Sequence, residues 1–103
     1  MIKIWVDDIR EKPKDYNFEC KSTNETIDLL KTINPINIEV LDLDHDAGIF
    51  AFQGGDYIKI LDWMIEYNYI CPVRLHTGNP VGRDNMWRLM QRYNIPEYNY
   101  IFD

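Results

Sequence analysis

Apolar positions along the chain fall into short strand-like runs and longer helical periods. Ile2, Ile4 and Val6, with Trp5 between, form a run that stops at Asp7-Asp8, the pattern of a buried strand ending in a loop. Residues 9–17 carry Lys12, Pro13, Lys14 and Asp15 without apolar period and predict irregular chain. Residues 18–21 fit a short strand. Ser22-Thr23-Asn24-Glu25 is a capping-box pattern, followed by Ile27, Leu30 and Ile33 at helical spacing. Asn34-Pro35 predicts the end of that helix.

Residues 36–43 read as the next strand, which also runs into acids: Asp42, Asp44, His45 and Asp46. A glycine-bearing loop over 47–55 precedes Tyr57, Ile58, Leu61, Met64 and Ile65, which mark an amphipathic helix. Residues 72–77 predict a strand ending at His76. Asn79 as N-cap and Pro80 at the first position open a last helix, with Met86, Leu89, Met90 and Tyr93 as its buried stripe. Residues 97–102 fit a final edge strand.

Strands alternating with helices imply a small three-layer α/β fold with a mostly parallel sheet and right-handed crossovers. Sites in such folds lie beyond the carboxyl ends of the strands. Three strands here end in polar groups: Asp7-Asp8, Asp44-His45-Asp46, and His76-Thr77-Gly78-Asn79. The fold class therefore predicts that sequence-distant groups converge.

Composition narrows the field. The 103 residues fit one domain spanning 1–103, 46% of them apolar and 27% charged. Cys20 and Cys71 make no disulfide framework or zinc spacing, and read as reduced core residues of a cytoplasmic protein. No stretch reaches the roughly 18–20 apolar residues of a membrane span. The N-terminus turns acidic where a signal peptide would stay apolar. Eleven basic against 17 acidic residues give a net charge of −6, which argues against coating duplex DNA by charge alone. Residues 71–93 differ, with Arg74, Arg83, Arg88 and Arg92 against the single acid Asp84.

Carboxylates near one point repel one another, and a divalent cation removes that cost. Oxygen ligands with few thiols or imidazoles favour Mg²⁺ or Mn²⁺, with Asp7, Asp8, Asp44 and Asp46 as candidates. The plainer reading is an acidic loop pair that caps helices or stays solvated. His45 and His76 are the only histidines. A pair of imidazoles at converging strand ends suits acid–base cleavage of a phosphodiester or cyclic phosphate. The start of the last helix, with Asn79 and Arg83, suits an anion. Trp5 and Trp63 sit in core-patterned segments, whereas Trp87 lies off the main stripe of its helix.

The segments Trp5-Val6-Asp7-Asp8-Ile9-Arg10, Leu43-Asp44-His45-Asp46 with Gly48, and His76-Thr77-Gly78-Asn79-Pro80-Val81-Gly82-Arg83 resemble the cyclic-phosphate-processing receiver-like domains of bacteria and phages. The resemblance spans about residues 2–90. It implies a receiver-like (flavodoxin-like) fold with the first helix reduced or lost. It also implies a site at Asp7, Asp8, Asp44, His45, Asp46, His76, Asn79 and Arg83. A signalling receiver has a phosphoacceptor aspartate, whose place Asp44 would fill, and a lysine ending its fifth strand. No lysine follows Lys59.

The expectation is a metal-dependent phosphoesterase acting on a cyclic phosphate of a nucleotide or RNA end. His45, His76 and Asp44 would be catalytic, with the acid and base order open. The alternatives are a nucleotide-sequestering module without turnover, and a degenerate receiver that binds proteins.

Overall fold

The computed structural model describes residues 1–99. Its elements are β1 (Ile2–Val6), β2 (Phe18–Cys20), α1 (Thr23–Leu30), β3 (Ile38–Leu43), α2 (Ile58–Glu66), β4 (Val73–Leu75) and α3 (Pro80–Arg92). The four strands form one parallel sheet in the order β2-β1-β3-β4. Beyond β4, where the sequence predicts an edge strand over residues 97–102, Glu97 makes an isolated parallel bridge to Val73 and no strand forms there among the described residues. Residues 100–102 of that expectation lie outside the described residues.

No helix separates β1 from β2, in line with the reduced first helix. The Pro13-containing segment instead crosses the sheet and returns with the Asn17 amide on the Lys3 carbonyl at 2.9 Å. Ser22 caps α1, its hydroxyl accepting the Glu25 amide at 3.0 Å. The Glu25 carboxylate in turn accepts from the Lys21 amide at 2.6 Å. The helix is shorter than its apolar period implies. It stops at Leu30, and Ile33 packs from the following turn, where its amide bonds the Leu30 carbonyl at 3.1 Å.

The core lies on one face of the sheet. Ile4, Val6, Leu41, Leu43 and Val73 meet Leu30 of α1, Ile60, Leu61 and Met64 of α2, and Met86 and Met90 of α3. Burial pushes the Cys20 and Cys71 thiols up, to about 11 and about 12. Both are free and inert in this core. Tyr93, expected in the stripe of α3, is exposed instead. It is the C-cap, one residue past the end of α3. Trp63 is half-buried at the core margin.

The opposite face carries a smaller cluster of Trp5, Tyr16 and Val40, with Tyr98 packed against it. Loop residues supply its cover. The expected third layer is thus loop rather than helix among the described residues. A register irregularity between β1 and β3 pairs Ile2 with Ile38 but Lys3 with Val40. It turns Val40 and Asp42 to this second face while Leu41 and Leu43 stay with the helices. No helix among the described residues is long and apolar enough to cross a membrane.

The Ser22 cap gives a direct check of this local account. Ser22→Ala should lower stability by ~1 kcal/mol, as N-cap removal does. In a domain of this size that is a Tm loss of roughly 4–8 °C, readable by thermal denaturation.

Candidate functional site

Strand register builds the first part of the site. Val6 pairs with Leu43, and Leu43 with Leu75. One residue further along each strand stand Asp7, Asp44 and His76, whose ligand atoms lie within 4.8 Å of one another. Two of the three sequence-predicted strand ends converge on a third, as the fold class requires.

His76 is the centre of this group. Its Nε2 bonds Asp7 Oδ2 at 2.9 Å and its Nδ1 bonds Asp42 Oδ1 at 2.7 Å. Both bonds are donations only when each ring nitrogen carries a proton. The Trp5 ring stacks on the imidazole, 3.8 Å between centroids and 6° from parallel. Asp42 Oδ2 accepts from the Tyr16 hydroxyl and from Arg74 Nη1, the latter at 3.0 Å. Asp7 Oδ1 accepts the amides of Ile9 and Arg10, each at 2.9 Å. Burial works to raise the Asp7 carboxyl. The two amides and then His76 more than offset it, so it sits below the ordinary carboxylate value. The Arg10 guanidinium donates to the His76 carbonyl at 3.1 Å, and the Trp5 indole to the Arg10 carbonyl at 3.0 Å.

Asp8 is in the opposite condition. Burial, then the charges of Asp7 and Asp44, hold its carboxyl above the ordinary value. Its side chain also lies against Gly48, where an added Cβ would come within 2.3 Å of Asp8 Oδ2. Gly48 has φ +55°, which independently favours glycine. Asp44 Oδ1 accepts the His45 amide at 2.8 Å.

A second group stands beside the first. His45 Nδ1 bonds Asp46 Oδ1 at 2.7 Å, and Asp46 and Asp56 each bring a carboxylate oxygen within 4.8 Å of the imidazole. Asp56 Oδ1 also accepts the Ala47 amide at 3.0 Å. Asn79 caps α3, its Oδ1 accepting the Gly82 amide at 3.0 Å while its Nδ2 donates to Asp46 at 3.4 Å. The His45 ring lies against the first turn of α3. A Cβ on Gly82 would stand 2.4 Å from its Cγ.

The sequence-predicted residues therefore divide. Asp7, Asp8, Asp44 and His76 gather in one group. Asp46 joins His45, Asp56 and Asn79 rather than the other candidate ligands. Arg83 is exposed on α3, and its guanidinium has no ion pair among the described residues. Neither nitrogen of His76 is open, so its ring is held rather than presented. Sequence reasoning passed over Asp42, Tyr16, Arg74, Arg10 and Asp56 as site residues. Asp42 carried a signal: a charge inside an apolar strand needs a buried partner. Trp5 read as core, and it is buried, but its ring packs the site.

A parallel 2-1-3-4 sheet with acids and a histidine at its strand ends defines a receiver-like α/β domain. The family model described as "Cyclic-phosphate processing Receiver domain" matches residues 2–92, and the chain belongs to that family. No curated protein and no solved structure matches the chain.

Two substitutions test this geometry. Asp8→Asn removes a carboxylate held against burial and two like charges. It should raise Tm at pH 7 by ~3 °C, what roughly 0.5 kcal/mol gives in a small domain. The sign follows from linkage. A folded-state pKa above the ordinary 3.8 means the folded protein binds more protons, so the deficit of wild type grows as pH rises from 3.8 through the raised value. At pH 3 the two proteins should melt together. Gly82→Ala should lower Tm although alanine favours helix by ~1 kcal/mol, because crowding the His45 ring costs ~1–3 kcal/mol. A rise in Tm would refute that packing.

Proposed function

We propose that the chain is a metal-dependent phosphoesterase that opens a cyclic phosphate. The observation that carries this reading is the Asp7–Asp8–Asp44 group. Its Asp8 carboxyl is held up by burial and by its neighbours, the mark of a site short of positive charge. The donor set fits a hard cation: three carboxylates and no open thiol or imidazole. Asp7, Asp8 and Asp44 would hold it. Mg²⁺ or Mn²⁺ there supplies positive charge to a phosphoryl oxygen. Asp46 belongs to a different role in this proposal.

That role is to orient His45. Asp46 bonds Nδ1 and leaves Nε2 facing away, the arrangement of a carboxylate-oriented base. His45 Nε2 accepts a proton from the attacking water as its oxygen bonds phosphorus. The bond from phosphorus to one ribose oxygen breaks, and that oxygen takes a proton from solvent, leaving a monoester. The Val81 amide in the first turn of α3 and the Arg83 guanidinium hold the phosphate's outer oxygens. His76 keeps Asp7 in place through Nε2 and carries no proton in the step.

Incubation with 2′,3′-cyclic AMP and Mg²⁺ or Mn²⁺ should yield the monophosphate, and chelation by EDTA should stop it. His45→Ala should slow turnover by about 10²-fold or more, and Asp44→Asn should weaken the response to the metal. Equal turnover by wild type and His45→Ala would remove the proposed base. Recovery of unchanged nucleotide after tight binding would point to sequestration instead.

A further inference from the structure

One large side chain of α3 is not accounted for by the core. Gly82, Met86 and Met90 are the buried residues of this helix. Trp87 stands beside that stripe and is 39% exposed. Its indole N–H donates to Glu97 Oε2 at 3.2 Å. The bond pins the ring by its polar edge against the segment after α3, while the residue stays open to water. An aromatic ring held in this way is an apolar plane whose orientation is set before any ligand arrives.

Trp87 lies one turn beyond Arg83 on the same flank of the helix. Four residues of α-helix advance about 6 Å along the axis and turn the side chain by about 40°. Side chains at that spacing are neighbours on the helix surface. The near end of this flank adjoins the site. Gly82, next to Arg83, abuts the His45 ring, where an added Cβ would stand 2.4 Å from Cγ. A phosphate on the Val81 amide and the Arg83 guanidinium sits at the first turn of α3, and Trp87 follows at the second. That step is close to the separation of phosphate and base within one nucleotide. A nucleobase offers a π face to the indole, whereas a small polyol offers none.

We infer that Trp87 is the stacking platform for the base of a nucleoside cyclic phosphate whose phosphate lies at the first turn of α3. The inference rests on the cyclic-phosphate reading above and names the body attached to that phosphate, a nucleoside. Stacking of base on aromatic ring reads a π face and tolerates any base.

Binding decides it, measured with Mg²⁺ present for 2′,3′-cyclic AMP and for glycerol 1,2-cyclic phosphate, which has the phosphate ring but no base. Wild type should bind the nucleotide at least ~10-fold more tightly. Trp87→Leu keeps an apolar side chain and a good helix former but no π face. It should lose the preference and bind the glycerol compound as wild type does. Trp87→Phe should keep most of the preference. Indole fluorescence gives a second reading. The nucleotide, and not the glycerol compound, should quench wild type, and Trp87→Phe should show no such quench although Trp5 and Trp63 remain. A purely structural role for Trp87 would instead lower Tm and weaken both probes alike in the Leu variant. The inference is overturned by that result, by equal affinities in wild type, by binding of neither probe, by a preference that Trp87→Leu keeps, by a Phe variant no better than the Leu variant, or by a quench that survives in Trp87→Phe. Turnover measured on the same samples separates the two ideas. A Trp87-dependent base preference without hydrolysis rejects the phosphoesterase and leaves the platform in place, and hydrolysis with equal affinities does the reverse.

Discussion

Asp7 and Asp42 are carboxylates at 1% and 0% exposure, and one imidazole lies between them. A buried charge is tolerable only when paired and hydrogen-bonded. The His76 ring meets that need for both acids at once, one nitrogen to each. Breaking such a buried pair typically costs ~3–5 kcal/mol, a large part of the roughly 5–15 kcal/mol that holds a domain together. The rest of the site hangs from this arrangement. Asp7 gathers the loop after β1 through the amides of Ile9 and Arg10. Arg10 reaches back to the His76 carbonyl. Tyr16 and Arg74 close the far side of Asp42, and Trp5 fixes the plane of the ring.

This arrangement explains why the helix after β1 is dispensable. A receiver-like sheet left bare on one face would expose Trp5 and Val40. Here the loop that replaces the helix lays Tyr16 against Trp5, rings 5.6 Å apart and 86° from parallel, and bonds its hydroxyl to Asp42. The cover is part apolar packing and part hydrogen bond to a charge. It therefore ties the second face of the sheet to the site at the strand ends. A helix packed there by apolar contact alone would lack that link.

The order of strands and helices was legible because it rests on periodicity, which short local segments carry by themselves. The convergence of Asp7, Asp44 and His76 was legible for a related reason: parallel strands of similar length end at one edge. What the chain does not display in its sequence is register. Whether Asp42 faces the helices or the loop depends on the irregularity opposite Lys3, and alternation cannot count an extra residue. The roles of the two histidines depend on it as well, since His76 is engaged at both nitrogens only because Asp42 turns toward it. The division of Asp44 from Asp46 is likewise a matter of loop path. The two acids are two positions apart, and the turn at His45 between them sends them to different neighbours.

Asp44 occupies the place where resemblance to a signalling receiver would put a phosphoacceptor, and its surroundings bear on that comparison. Among the described residues the imidazole and the guanidinium beside it serve the fold: His76 bonds Asp7 and Asp42, and Arg74 bonds Asp42. Arg83 stands apart on the exposed side of α3. The next residue after Asp44, by contrast, is an imidazole oriented by a carboxylate and packed on the first turn of a helix. That neighbour, set by which side chains are engaged rather than by which are present, is what the proposed function draws on for a proton acceptor beside Asp44.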